Sequence, residues 1–161
     1  MWRDAYSGGE SKQIPVVKGI SAEFCDWLKA RLVEYSEGVL AADNVYDERH
    51  TNLGMAIKQA VNSGLGCCVV MSTPSLRQAD GNSPDDTRYA ASVEVAIMHN
   101  AALSPEVDSV TLSESIFRRL AATHFALRPE FPPNVRAESL QHTLNTTKWM
   151  HQFTITYTLI I

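Results

Sequence analysis

Hydrophobic and polar positions alternate most cleanly at the C-terminal end of the chain. Between Trp149 and Ile161, Phe153, Ile155, Tyr157 and Leu159 fall on one face of an extended backbone, and Gln152, Thr154, Thr156 and Thr158 fall on the other. Period-two alternation in aromatic and β-branched residues predicts a strand over 149–160. A strand this long has a sheet to complete or another subunit to meet. Upstream, Tyr89, Ala91, Val93, Val95 and Ile97 alternate with Arg88, Ser92 and Glu94, which predicts a second strand over 87–98. Residues 66–71, Gly-Cys-Cys-Val-Val-Met, form a short continuous apolar run, the pattern of a strand buried on both faces. It could pair with the 87–98 strand as a hairpin with a long tip. Val135 to His142 reads as a weaker strand, with Thr143 to Lys148 as a polar turn before the last strand.

Other segments carry the helical period. Phe24, Leu28, Leu32 and Tyr35 recur at helical spacing, beside Cys25 and Trp27, and Gly38 marks the end of that helix. Ser21 is placed to cap it, and Glu23 sits favourably at its positive end. Leu53, Ile57, Ala60 and Val61 predict a shorter helix stopped by Gly64. A third helix over 111–125 has Leu112, Ile116, Phe117, Leu120 and Ala121 on its apolar face, capped by Asp108 or by a Thr111–Glu114 capping box. Pro129, Pro132 and Pro133 follow as a stiff connector. Val39–Asp47 is ambiguous, a strand through Val45 and Tyr46 being one reading. These elements predict an α+β fold, a mostly antiparallel β-sheet with helices packed on one face. Residues 1–20 read as a flexible N-terminal arm and 21–161 as a single α+β domain. Arg77–Asp86 is polar, with Gly and Pro, and reads as an exposed loop.

The 161 residues suffice for one sizeable core, and 45% hydrophobic with 20% charged residues argues against a wholly disordered chain. A net charge of −4 disfavours a general nucleic-acid binder, which needs a basic face to displace counterions. It is compatible with a surface that lets DNA pass without gripping it. Three cysteines, Cys25, Cys67 and Cys68, without framework spacing read as reduced thiols of a protein made in the cytoplasm. No apolar run approaches the ~18 residues of a membrane span.

Candidate chemistry changes this picture little. Cys67 and Cys68 are adjacent, so on a strand they point to opposite faces and read as packing residues. Cys25 reads as a helix packing residue. His50, His99, His124, His142 and His151 make no HExxH motif or closely spaced ligand pair, and read as surface or interface residues. Asp80–Asp86 superficially resembles a calcium loop, but Asp85 occupies the position that requires glycine and Ala91 the position that requires glutamate. Gly8-Gly9 is followed by no GK[ST], and no GxSxG elbow occurs. Asp43, Asp47 and Glu48 cluster near Tyr46 and Arg49, which reads as a solvated face or a subunit contact. No catalytic residue, cofactor site or metal site is expected. Asp47, Arg49, Arg77, Asp80 and Asp85 are the candidate assembly contacts.

In order and size these elements resemble the phage tail-terminator and tail-completion proteins, the family of the lambda minor tail protein U type. The opening helix from Ser21, the buried strand 66–71 and its long-looped partner over Thr87–His99 carry the likeness. The helix Thr111–Phe125 and the terminal strand pair Val135–Ile161 complete it. Residues 1–19 and the polar segment Asp43–Thr51 are not clearly matched. The resemblance implies a non-catalytic virion protein: a homo-oligomeric, commonly hexameric ring at the head-proximal end of the tail. Such a ring halts polymerisation of the tail tube protein and offers a surface to a head-completion or connector protein, while DNA passes through its lumen. A different head–tail connector ring is one alternative. A small cytosolic α+β enzyme or ligand-binding protein is another, favoured by a deep pocket holding a His or carboxylate of displaced pKa.

Overall fold

The computed structural model describes residues 19–78, 88–126, 130 and 132–160. Among them the element order is α1 (Ile20–Tyr35), β1 (Val45–Asp47), α2 (Leu53–Asn62), β2 (Cys67–Met71), β3 (Ser75–Gln78), β4 (Arg88–Asn100), α3 (Ser109–Leu120), β5 (Val135–Asn145) and β6 (Lys148–Ile160). The fold is α+β, built on one six-stranded, mostly antiparallel sheet of order β1-β2-β4-β6-β5, with β3 also paired to β4. The expected N-terminal arm, apart from Gly19, lies outside the described residues.

The period-two patterns become the sheet's centre. β4 and β6 pair antiparallel over their full lengths, from Arg88 opposite Ile160 to Asn100 opposite Lys148. Val93, Val95 and Ile97 of β4 and Phe153, Ile155 and Tyr157 of β6 face the main core. α1 contributes Phe24, Leu28 and Leu32, all fully buried. Burying them contributes roughly 5–9 kcal/mol of transfer free energy. Phe24 stacks on Tyr157 with ring centroids 3.9 Å apart, and Phe125 meets Phe24 edge-on at 4.9 Å. α3 adds Ile116 and Leu120 to the same core, so α1 and α3 cover one face of the sheet.

α2 lies against the other face. Its Ala60 and Val61 pack with Cys68, Tyr46, Ile57 and Met98 in a smaller cluster. The reason is topological: β1 and β2 are parallel, and a parallel pair needs a crossover, here α2. Cys67 points into the main core and Cys68 into the α2 cluster, as adjacent strand residues must.

Several boundaries differ from expectation. α1 starts at Ile20 with Gly19 as its N-cap and no side-chain cap, so Ser21 sits inside the first turn. α3 is capped by Asp108, which accepts from the Thr111 amide at 3.1 Å, and Thr111 is helical, so the Thr111–Glu114 capping box does not form. α3 ends at Leu120, short of 125, and Ala121 is exposed. Arg77 and Gln78 are strand residues, not loop: Ser75 pairs with Ser92 and Gln78 with Tyr89. β2 and β3 thus follow one flank of β4, separated by a one-residue register slip around Ser72–Pro74, where the Ser72 hydroxyl accepts from the Glu94 amide at 2.9 Å.

β5 is longer than the apolar pattern indicated, because it is an outer strand whose far half needs no core face. It reaches Asn145, so the expected polar turn over 143–148 narrows to Thr146 and Thr147, with Thr146 at φ 61°. Residues 141–148 of this hairpin are exposed. A register shift between Glu138 and Gln141, with Ser139 at φ 63°, interrupts the ladder.

Candidate functional site

Val45 and Asp47 of β1 share the face turned to α1, and alternation sends Tyr46 to the α2 side. Asp47 is therefore only 3% exposed, and is no part of a solvated acidic run. Its carboxylate accepts from Arg49 three times, from Nη2 at 2.7 Å, Nε at 3.1 Å and the backbone amide at 2.8 Å. Lys29 Nζ of α1 lies 3.0 Å from Oδ2, and Arg49 Nη2 also reaches Asp26 at 3.3 Å. The Arg49 hydrogen bonds, aided by Lys29, hold the Asp47 carboxyl well below the usual carboxylate range against the opposing effect of burial. Cys25 lines the same ≈310 Å³ cleft as Asp47 and Arg49, and burial, followed by the Asp47 charge, pushes its thiol up. An ionised carboxylate pinned by two cations and a protonated thiol form no acid–base or nucleophilic pair.

Of the expected assembly residues, the structure thus brings Asp47 and Arg49 together within one subunit. Arg77 stands exposed on β3, apart from them. Asp80 and Asp85 lie outside the described residues.

A second polar constellation was missed by the sequence reading. His99 of β4 and His151 of β6 are 1% and 0% exposed, and Ser109 at the start of α3 is 2% exposed. The Ser109 hydroxyl sits 2.9 Å from His99 Nδ1 and 2.8 Å from His151 Nε2. His99 Nε2 lies 2.9 Å from the Ser104 carbonyl. His151 Nδ1 lies 2.8 Å from Nδ1 of His142, its cross-strand partner on β5. His142 Nε2 in turn is 3.5 Å from Glu114 of α3. Trp149 stacks over the His151 ring at 5.5 Å. Burial, then the neighbouring imidazoles of His142 and His99, push His151 down to about 4. The signal was present in the alternation: His151 has the parity of Phe153 and Ile155, His99 that of Ile97, and Ser109 and Ser113 lie on the helical face of Ile116 and Leu120.

Ser109 between two imidazoles has the elements of a hydrolytic nucleophile and base. It lacks access. Ser109, His99 and His151 are almost wholly buried, and none of three cavities among the described residues is lined by them. Two open concavities among the described residues lie elsewhere. One of ≈400 Å³ runs along the second face of the sheet between Glu48, Glu94, Gln141 and Gln152. Another of ≈680 Å³ lies beside α2 and is flanked by the exposed apolar Met55 and Leu65. Among the described residues no group of three or more His, Cys, Asp or Glu is placed to hold a metal ion, and no helix is long and apolar enough to cross a membrane. No protein-family model matches the chain, and no curated protein matches it.

Proposed function

We propose that the protein is a phage tail terminator: a homo-oligomeric, hexameric ring that caps the head-proximal end of the tail tube, stops tube polymerisation and presents a surface to the head-completion protein. The observation that carries the reading is the order of elements in a single sheet. The opening helix, the buried strand, its long partner, the covering helix and the terminal strand pair are those the resemblance rests on. The outer strand β5 supports it. Its distal half is exposed, as a strand edge that meets a neighbouring copy would be in an isolated subunit. The net charge of −4 suits a lumen through which DNA slides without adhering. The Ser109–His99–His151 constellation is buried, which favours a structural role over the hydrolytic alternative.

Native mass measurement over a protein and salt series, with and without tail tube protein, tests the proposal. Rings are expected on the tube, with weaker association in free solution. Arg77→Glu, on an exposed strand residue, is expected to weaken the ring while the fold persists. A protein that stays monomeric in every condition and is absent from assembled tails would replace this reading with the ligand-binding one.

A further inference from the structure

The hydrogen-bond chain through the three histidines has a fixed direction, which follows from its ends. The Ser104 carbonyl only accepts, so the proton of neutral His99 is on Nε2 and its Nδ1 is a lone pair. The Ser109 hydroxyl therefore donates to His99 Nδ1 and accepts from His151 Nε2. That leaves a lone pair on His151 Nδ1, which accepts from His142 Nδ1–H. Each donor in the interior meets one acceptor. Only His142, with a side chain 26% exposed, reaches solvent, and a second proton on its Nε2 faces the Glu114 carboxylate.

While His142 is neutral its other tautomer, with the proton on Nε2 facing Glu114, would accept from His151. Once His142 carries both ring protons, a further proton on either buried ring has no place. On His151 it would set one N–H against another across 2.8 Å. On His99 it would turn the Ser109 hydroxyl toward His151 Nε2–H, which is also a donor. The groups facing His151 are His142 from β5, His99 from β4, Ser109 from α3 and the stacked Trp149 from its own strand. Asp108, the α3 cap, and Glu114, beyond His142, are the nearby carboxylates; the pull of Asp108 is the smallest influence on the ring and does not offset burial.

We propose that this chain is an acid-sensitive latch that docks the distal β5 arm of the β5–β6 hairpin against β6 and α3. Beyond His142 and His151, Lys148–Met150 of β6 stay paired to β4, and the Thr147 carbonyl accepts from the Ala101 amide at 2.8 Å. The exposed β5 arm over 141–145, by contrast, pairs with β6 alone. Protonation of the interior beside a charged His142 breaks the donor–acceptor sequence and frees residues 141–145. The aromatic core around Phe24 and Tyr157 lies toward the other end of β6, shares no member with the chain, and stays closed. The latch is independent of the tail-terminator reading, and regulates how the outer edge of the sheet is presented.

The test uses the isotope-labelled full chain. Long-range nitrogen–proton spectra of the imidazoles at about pH 7.5 should show Nε2–H tautomers for His99 and His151 and a protonated Nδ1 in His142. Amide exchange, corrected for intrinsic rates, should show residues 141–145 losing roughly tenfold or more protection between about pH 7.5 and pH 5, while 153–157 keep theirs. His142→Gln supplies the second readout. Its amide N–H can donate to neutral His151, and by rotating, its oxygen can accept from protonated His151, so the hairpin should stay protected at both pH values. His142→Leu can do neither, and the hairpin should be open at both. An Nδ1–H tautomer at His151, hairpin protection that does not change with pH, or uniform loss across the whole sheet would each overturn the proposal.

Discussion

Reversing the charge of Arg49 separates a fold contact from a free surface residue. In Arg49→Glu the Asp47 carboxylate, 3% exposed, loses side-chain donors at 2.7 and 3.1 Å and gains a like charge nearby. Hydrogen bonds to a charged group contribute ~1.5–3 kcal/mol each where they are desolvated. Arg49 is 48% exposed, so solvent screens part of that, and Lys29 still holds Oδ2 at 3.0 Å. The added repulsion, with an effective dielectric constant near that of a surface pair, is a few kcal/mol before the new glutamate swings toward water. The net expectation is about 3 kcal/mol of lost stability, or ~6–12 °C in Tm for a domain of this size. The loss should depend on pH with a definite sign. The folded Asp47 carboxyl titrates below its ordinary 3.8, so its contribution is present above that pH and lost as pH falls beneath it. Parent and variant should therefore converge in strong acid. Arg77→Glu, on an exposed strand position, is the control and should change stability by no more than ~0.5 kcal/mol. Thermal and denaturant melts of both variants from about pH 7 down to pH 3 decide it. If Arg49→Glu melts within ~2 °C of the parent near neutrality, the Asp47 cluster does not hold β1 to α1.

The buried His151 gives the same sign in a higher pH window. Its folded value of about 4 lies below the 6.5 of the unfolded chain, so its contribution is complete above 6.5 and is lost as pH falls toward 4. Denaturant titrations across that range should lose about 3 kcal/mol to this group. Gly66→Ala should cost ~2–4 kcal/mol, because φ is 75° and a Cβ would sit 2.8 Å from Ser104 Oγ and 2.9 Å from Leu103 Cβ. Gly54→Ala, in the first turn of α2 with nothing within 4 Å of the added carbon, should stabilise by ~0.4–1 kcal/mol. Equal melting temperatures for these two variants would refute both accounts.

Local period carried the strands and helices that bury a face. β6, β4, β2 and the buried faces of α1 and α3 were legible because alternation or helical spacing records which side meets the core. The elements that bury little left weak marks. β3 is exposed along its length, and its strand character comes from pairing with β4. The outer half of β5 is polar for the same reason, and reads as turn until β6 supplies its ladder. α2 is a short helix on the second face because β1 and β2 run parallel, a direction that no local pattern encodes. The same division holds for polar residues. His99 and His151 read as surface or interface residues, yet each shares parity with core neighbours and is buried, so alternation carried the signal that the composition of the strand ends hid. It could not show that β4, β6, β5 and α3 would bring three imidazoles and one hydroxyl within hydrogen-bond distance, nor that Arg49 would turn back onto Asp47. Periodicity reports the side on which a residue lies. Which partners meet it there, and whether water reaches them, is decided by strand order and helix placement, and those are properties of the assembled tertiary structure.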